Sequence, residues 1–169
     1  LIDRYYHDNP QKFVAGIYRI GVNEDLKIPI PGYAKPRIRM PKEDGSNWSK
    51  TALPWMSIGY ETQIPPIQTL AFYNGIANGG VMVEPRFVTA INSGDEVVKE
   101  FPVKYVHADR PDKMMCLKQT LEKVKESVED VVTLDGTGKD AYSKRFRSAG
   151  KTGTAQIWER GRFTGASII

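Results

Sequence analysis

The run Arg147-Ser148-Ala149-Gly150-Lys151-Thr152-Gly153-Thr154-Ala155-Gln156-Ile157 gathers one lysine, two threonine hydroxyls and several small residues on a stretch that reads as extended chain. Gly150, Gly153 and Ala155 leave room for a ligand or a second backbone to approach closely. Lys151, Thr152 and Thr154 supply a cation and two hydroxyls at the same edge. The chemistry these residues offer is anion binding along an edge strand. The plain alternative is a surface strand with an ordinary solvated lysine, and short motifs match by chance often enough that the rest of the chain has to decide.

Two other readings of these letters fail. A phosphate-cradling loop needs Gly-x-x-x-x-Gly-Lys-Thr, and although Gly150-Lys151-Thr152 fits its end, Arg145 stands where the first glycine belongs. Ser148-Ala149-Gly150-Lys151 matches Ser-x-x-Lys, a nucleophile pattern that opens a helix. The apolar residues after it do not recur every three or four positions, so this match is accidental.

The chain has 169 residues, of which 40% are hydrophobic and 26% charged, the balance of a globular domain large enough for one core. Its net charge of +4 is modest, but residues 139–162 carry seven Lys or Arg against Asp140 and Glu159, which favours an anionic ligand near Lys151. Nucleic acid is not expected, because no recognition motif and no interleaved aromatic platform accompanies the basic residues. Cys116 is the single cysteine, so no intrachain disulfide forms. His7 and His107 lack metal-ligand spacing and read as surface or packing residues, so neither a metal nor a cofactor is expected. The chain opens on Leu1 and closes within the apolar run Ala166-Ser167-Ile168-Ile169, as a piece of a longer protein would.

The elements that must position Lys151 follow from caps and periodicity. Residues 1–7 read as a helix end. Asn9 caps a second helix with Pro10 at its first position, and Phe13, Ile17 and Ile20 recur along it until Gly21 stops it. Residues 24–50 lose periodicity to Pro29, Pro31, Pro36 and Pro41 and read as a long surface excursion. Pro65-Pro66 opens a helix carrying Ile67, Leu70, Ala71 and Asn74 on one stripe, and Ala77-Asn78-Gly79-Gly80 ends it. Residues 86–92 and 97–101 read as an antiparallel hairpin turning at Ser93-Gly94-Asp95. Residues 110–128 hold the longest helical pattern, with Pro111 at the start and Met114, Leu117, Leu121, Val124 and Val128 on one face. Gly136-Thr137-Gly138-Lys139-Asp140-Ala141 matches a dinucleotide fingerprint as letters, but no βαβ context surrounds it. Residues 152–158 and 163–169 read as two strands joined by Glu159-Arg160-Gly161-Arg162, which sets Lys151 at the start of a hairpin.

Taken in order, Asn9-Pro10, Ser57-Ile58-Gly59-Tyr60, Pro66-x-Gln68, Ile76-Ala77-Asn78-Gly79-Gly80, Pro85, Gly136-Thr137-Gly138 and Ala149-Gly150-Lys151-Thr152-Gly153-Thr154-Ala155 resemble one family. The chain looks like the C-terminal part of the transpeptidase domain of a class B, monofunctional penicillin-binding protein. Lys151-Thr152-Gly153-Thr154 is similar to that family's third active-site motif. The resemblance spans nearly the whole chain, so residues 1–169 are expected to be one portion of a single domain. It implies an α+β fold, an antiparallel sheet flanked by helices, related to the serine β-lactamases. Glu61 stands where many relatives have glycine, and Pro65 replaces the usual threonine before Pro66, departures that bear on the subfamily.

The resemblance also implies a reaction. A serine attacks the D-Ala-D-Ala amide of a peptidoglycan stem peptide, and the acyl group passes to an amine of a neighbouring strand. β-Lactam antibiotics enter the same step. The family's upstream Ser-x-x-Lys and Ser-x-Asn motifs are not in this chain, which is therefore expected to be inactive alone. Lys151, Thr152, Gly153 and Thr154 carry over as catalytic residues, and Lys151, Thr152, Thr154 and Ala155 as substrate-binding ones. Lys151 would hold positive potential over the substrate carboxylate and help proton transfer, the hydroxyls would bond that carboxylate, and the Thr154 N–H would be one oxyanion donor. Gly153 would leave room for the substrate to lie along the strand. Strand alternation puts Lys151, Gly153 and Ala155 on one side and Thr152, Thr154 and Gln156 on the other. The two threonines therefore cannot both share the face of Lys151 in a regular strand: either twist brings the strand's edge to the substrate, or, the preferred reading, Thr152 points into the protein and only Thr154 reaches the carboxylate from the opposite side of the backbone.

The implied setting is the extracytoplasmic face of the cytoplasmic membrane, with an N-terminal anchor outside this chain and partners from cell-wall synthesis or division complexes. Two further readings stay open on the sequence: a non-catalytic partner-binding module of the same fold, and a β-lactamase or β-lactam-sensing domain.

Overall fold

The structure, a computed structural model, describes residues 1–159 and 162–168, from Ala155 onward as backbone only. The chain forms two compact units, Leu1–Cys116 and Leu117–Ile169.

In the first unit α1 (Ile2–Tyr6) leads into α2 (Pro10–Arg19). The Asn9 side chain accepts from the Lys12 backbone N–H at 3.1 Å, satisfying one of the unpaired amides of the first turn while Pro10 needs none. Gly21, at φ +87°, turns the chain out of the helix. α3 (Ala52–Ser57) follows, and then α4 (Pro66–Ala77). Asn78 caps α4, its amide donating to the Val81 carbonyl at 2.9 Å, and Gly79 and Gly80 both take positive φ to close the end. The starts and stops of α2 and α4 are the ones predicted.

Two apolar clusters hold this unit. Val14, Val22, Ile38 and Met56 are buried together, with Phe13, Ile17 and Ile20 of the α2 stripe against them. Leu26, Ile28, Ala71 and Met82 form the second, joined by Ile67 and Val106. Met82 is fully buried under Gly75 of α4, where an added Cβ would come within 3.1 Å of the Met82 Cβ. Truncating such a methionine costs about 2–5 kcal/mol.

Residues 24–50 depart from the predicted surface excursion. Leu26, Ile28 and Ile38 are buried, and β1 (Arg37–Ile38) pairs antiparallel with β2 (Thr62–Gln63). The prolines break periodicity without preventing isolated apolar side chains from docking. Buried polar groups fix the path: Gln68 donates to the carbonyls of Gly21 at 3.2 Å and Glu24 at 3.1 Å. Farther on, the Asp25 carboxylate accepts from Lys35 Nζ at 2.6 Å, from Lys27 N at 3.0 Å and from the Tyr33 hydroxyl. These donors, Lys35 foremost, hold the Asp25 carboxyl well below its ordinary value. Glu61 sits at φ +61°, a conformation that favours glycine, and pairs with Arg39.

β3 (Ala90–Ser93) and β4 (Glu96–Glu100) make the predicted hairpin, its first strand beginning at Ala90 rather than at residue 86, turning at Gly94 with an irregularity between Ile91 and Asn92. The helix predicted over 110–128 is shorter. α5 spans Lys118–Asp130, and residues 110–117 take another path. Met114 bridges Val81, Lys113 adopts φ +55°, and Arg110 donates to Arg19 O at 2.5 Å and Met114 O at 2.7 Å. These long-range ties outcompete a helix whose propensity alone is a weak preference.

In the second unit, α5 is followed by a short 3-10 turn (Lys139–Ala141), β5 (Gly153–Glu159) and β6 (Arg162–Ile168). β5 and β6 pair antiparallel from Gly153↔Ile168 to Glu159↔Arg162. The turn expected at Arg160-Gly161 and the strand end at Ile169 lie outside the described residues. Helices with small antiparallel strand pairs give the α+β class expected from the sequence.

Candidate functional site

Lys151 and Thr152 lie immediately before β5, and Gly153 and Thr154 are its first residues, so the strand begins two residues into the motif. The approach is set by glycines. Gly136 N donates to Thr133 O at 3.0 Å and Gly138 N to Val131 O at 2.8 Å, folding residues 136–138 against the turn that ends α5. A Cβ at Gly136 would lie 2.2 Å from the Val131 carbonyl oxygen, closer than any side chain tolerates. Gly150 N then donates to Val128 O at 2.9 Å, and a Cβ there would meet Val132 Cγ2 at 3.3 Å. These glycines were legible as letters, but their role is set by backbone approach, which spacing does not reveal.

The side chains do not divide as strand alternation predicts: Lys151 and Thr152 precede β5, and Thr152 and Thr154, expected on one side, differ in burial. Thr152 is half-buried, its methyl carbon 3.8 Å from the Cβ position of Gly138, while Lys151 and Thr154 are exposed. Lys151 Nζ donates to the Thr152 carbonyl at 2.7 Å. That bond uses one of the ammonium's three donors, so the same cation can also meet an incoming carboxylate. Among the described residues β5 pairs with β6 alone, so no strand lies along its other edge. Ala155 pairs with Ala166 in the backbone register. Arg147, just before the motif, is neutralised by Glu129 of α5.

Ser148, the accidental Ser-x-x-Lys match, starts no helix; residues 147–152 carry no regular structure, and Ser148 Oγ donates to Ala141 O at 3.4 Å. His7 is exposed beside Asp3, whereas His107 is packed, with 4% of its surface accessible. Among the described residues no three His, Cys, Asp or Glu side chains gather as a metal site.

A chain with this arrangement has known counterparts. The family model described as penicillin binding protein transpeptidase domain matches residues 10–167. The chain is 29% identical over 154 residues to penicillin-binding protein PbpB of Mycobacterium tuberculosis, covering 87% of this chain and 21% of that protein. It is 27% identical over the same length to PbpB of Mycolicibacterium smegmatis, covering 87% of this chain and 22% of that protein. The chain therefore spans about a fifth of the length of these curated relatives. Its fold is similar to that of penicillin binding protein 3 from Mycobacterium tuberculosis, solved with ampicillin. The TM-score is 0.74 at 23% identity, covering 95% of this chain and 36% of that one. With the match to 10–167 taking in α2 through β6, the chain belongs to the penicillin binding protein transpeptidase domain family.

Proposed function

We propose that the chain is the part of a serine-type D-Ala-D-Ala transpeptidase that binds the substrate carboxylate. The observation that carries this reading is the exposed Lys151 and Thr154 at the start of β5, a strand with no described neighbour along its other edge, and held there by the Gly150–Val128 backbone bond. A stem peptide laid along that edge would put its terminal carboxylate under the Lys151 ammonium and within reach of the Thr154 hydroxyl, a charge-assisted pairing. Gly153, with no side chain, leaves the backbone open to the peptide, and Ala155 continues that narrow path.

In the reaction a serine oxygen attacks the carbonyl carbon of the penultimate D-Ala, its proton leaving to a base. The C–N bond to the terminal D-Ala breaks, and that amine takes up a proton as it departs. The acyl-serine ester is then attacked by an amine of a second stem peptide, forming the cross-link and restoring the serine. The Thr154 N–H serves the oxyanion of each tetrahedral intermediate. The serine belongs to another part of the parent protein, since the one Ser-x-x-Lys in this sequence, at Ser148, starts no helix. A β-lactam takes the place of the stem peptide, as the ampicillin complex of the Mycobacterium tuberculosis protein supports. The substrate places the work on the extracytoplasmic side of the membrane, alongside cell-wall synthesis or division proteins. Among the described residues no helix is long and apolar enough to cross a membrane.

The test is covalent labelling followed by intact mass. In the parent protein Lys151→Ala is expected to abolish the benzylpenicillin adduct while the melting temperature moves by no more than about 4 °C. The present chain alone should stay unmodified. Persistent labelling of the variant, with melting lowered by tens of degrees, would make Lys151 structural. An adduct on Ser148 of the chain alone would place the nucleophile here and overturn the reading.

A further inference from the structure

Residues 142–148 and the end of α5 enclose a hollow of about 440 Å³ that the transpeptidase reading does not use. Its lining combines apolar and basic side chains. Val132 is buried, Phe146 is 67% exposed and Tyr142 is 40% exposed, a large aromatic surface left facing solvent. Lys144 and Arg145, both exposed, line the same hollow.

The charge is not cancelled locally. Among the described residues Glu129 is the one carboxylate lining the hollow, and it is engaged by Arg147. Among the described residues no carboxylate forms an ion pair with Lys144 or Arg145. The segment is also held in shape before any ligand arrives. Arg145 N donates to Ser143 Oγ at 3.1 Å, Ser148 Oγ to Ala141 O at 3.4 Å, and Gly150 N to Val128 O at 2.9 Å. A loop tied at both ends loses less freedom on binding.

We propose that this hollow docks an acidic peptide segment of a partner protein, whose carboxylates meet Lys144 and Arg145 and whose apolar side chain covers Phe146. Charge complementarity selects an anionic partner. The exposed aromatic side chains select a peptide over a bare phosphate polymer, because a phosphate chain offers nothing to bury Phe146 against. Arginine and aromatic side chains are the types that anchor protein contacts. The proposal does not depend on the transpeptidase reading, and the assay below measures binding without acylation.

The experiment titrates the chain with a fluorescein-labelled peptide of six glutamates around a central leucine and reads anisotropy at 150 mM salt. Binding is expected, and the double variant Lys144→Glu/Arg145→Glu should weaken it at least tenfold. Phe146→Ser should weaken it at least threefold, as should exchange of the central leucine for serine, and Lys12→Glu on α2 should leave it unchanged. Loss confined to the charge variants, with Phe146→Ser and the serine peptide binding as before, would reduce the site to unspecific attraction and overturn the proposal. A single-stranded oligonucleotide or polyphosphate binding more tightly than the peptide would also overturn it, as would the absence of any binding. Circular dichroism of each variant separates loss of the hollow from loss of the fold.

Discussion

The imidazole of His107 lies against the backbone of Gly21: a Cβ built on Gly21 would stand 2.9 Å from His107 Nε2. Gly21 is also at φ +87°, so the position asks twice for glycine. Gly94 supplies the comparison, since its φ is +61° but nothing lies within 4 Å of its Cβ position. Gly94→Ala should cost about 1 kcal/mol for backbone strain alone, and Gly21→Ala about 2–3 kcal/mol because the buried ring must also move. Urea unfolding of the two variants measures the difference, and equal losses would show that the ring shifts freely.

The same contact makes a pH prediction. Burial, and then the Arg110 guanidinium, push the His107 imidazole below its ordinary value of 6.5; the Ile20 backbone, Asp109 and Glu24 act the other way without reversing this. The folded protein thus keeps His107 neutral at a pH where the unfolded chain would already protonate it. Stability is full above pH 6.5 and is lost as pH falls from there through the lowered value. Unfolding free energy measured from pH 8 to pH 5 should fall on the acid side, and His107→Leu should flatten that slope. A variant with the same slope would assign it to other groups.

The division between the two threonines predicts unequal variants. Thr152 turns its methyl toward Gly138, whereas Thr154 is exposed at the start of β5. In the parent protein Thr154→Val should slow β-lactam acylation at least tenfold, equivalent to ~1.4 kcal/mol for a lost charge-assisted bond. Thr152→Ser should be near neutral. Stopped-flow acylation rates compare them, and the opposite order of sensitivity would exchange their roles.

Local signals were the legible ones. Asn9-Pro10 and Asn78-Gly79-Gly80 act on their own neighbours, so the ends of α2 and α4 could be read without knowing the fold. The start of α5 could not, because Met114 answers to Val81 and Arg110 to the carbonyl of Arg19, residues distant in sequence. Burial of Leu26 and Ile28 escaped for a related reason: their partners Ala71 and Met82 lie well downstream, and an aperiodic segment gives no sign that it docks. At the site, the residue types from Lys151 to Thr154 were readable, but alternation was no guide, because Lys151 and Thr152 precede the strand. The hollow at residues 142–148 was not, since a basic run shows its charge but not its concavity.

The bond from Gly150 N to Val128 O joins main-chain atoms only. Its geometry is therefore buffered against sequence drift at position 128, where most replacements that preserve the helix leave the carbonyl in place. Length changes are another matter. One residue inserted into α5 would rotate that carbonyl by about 100° around the helix axis and carry it away from Gly150. A lineage of such proteins can thus vary α5 letter by letter while the lysine keeps its station, but insertions and deletions within the helix should be purged.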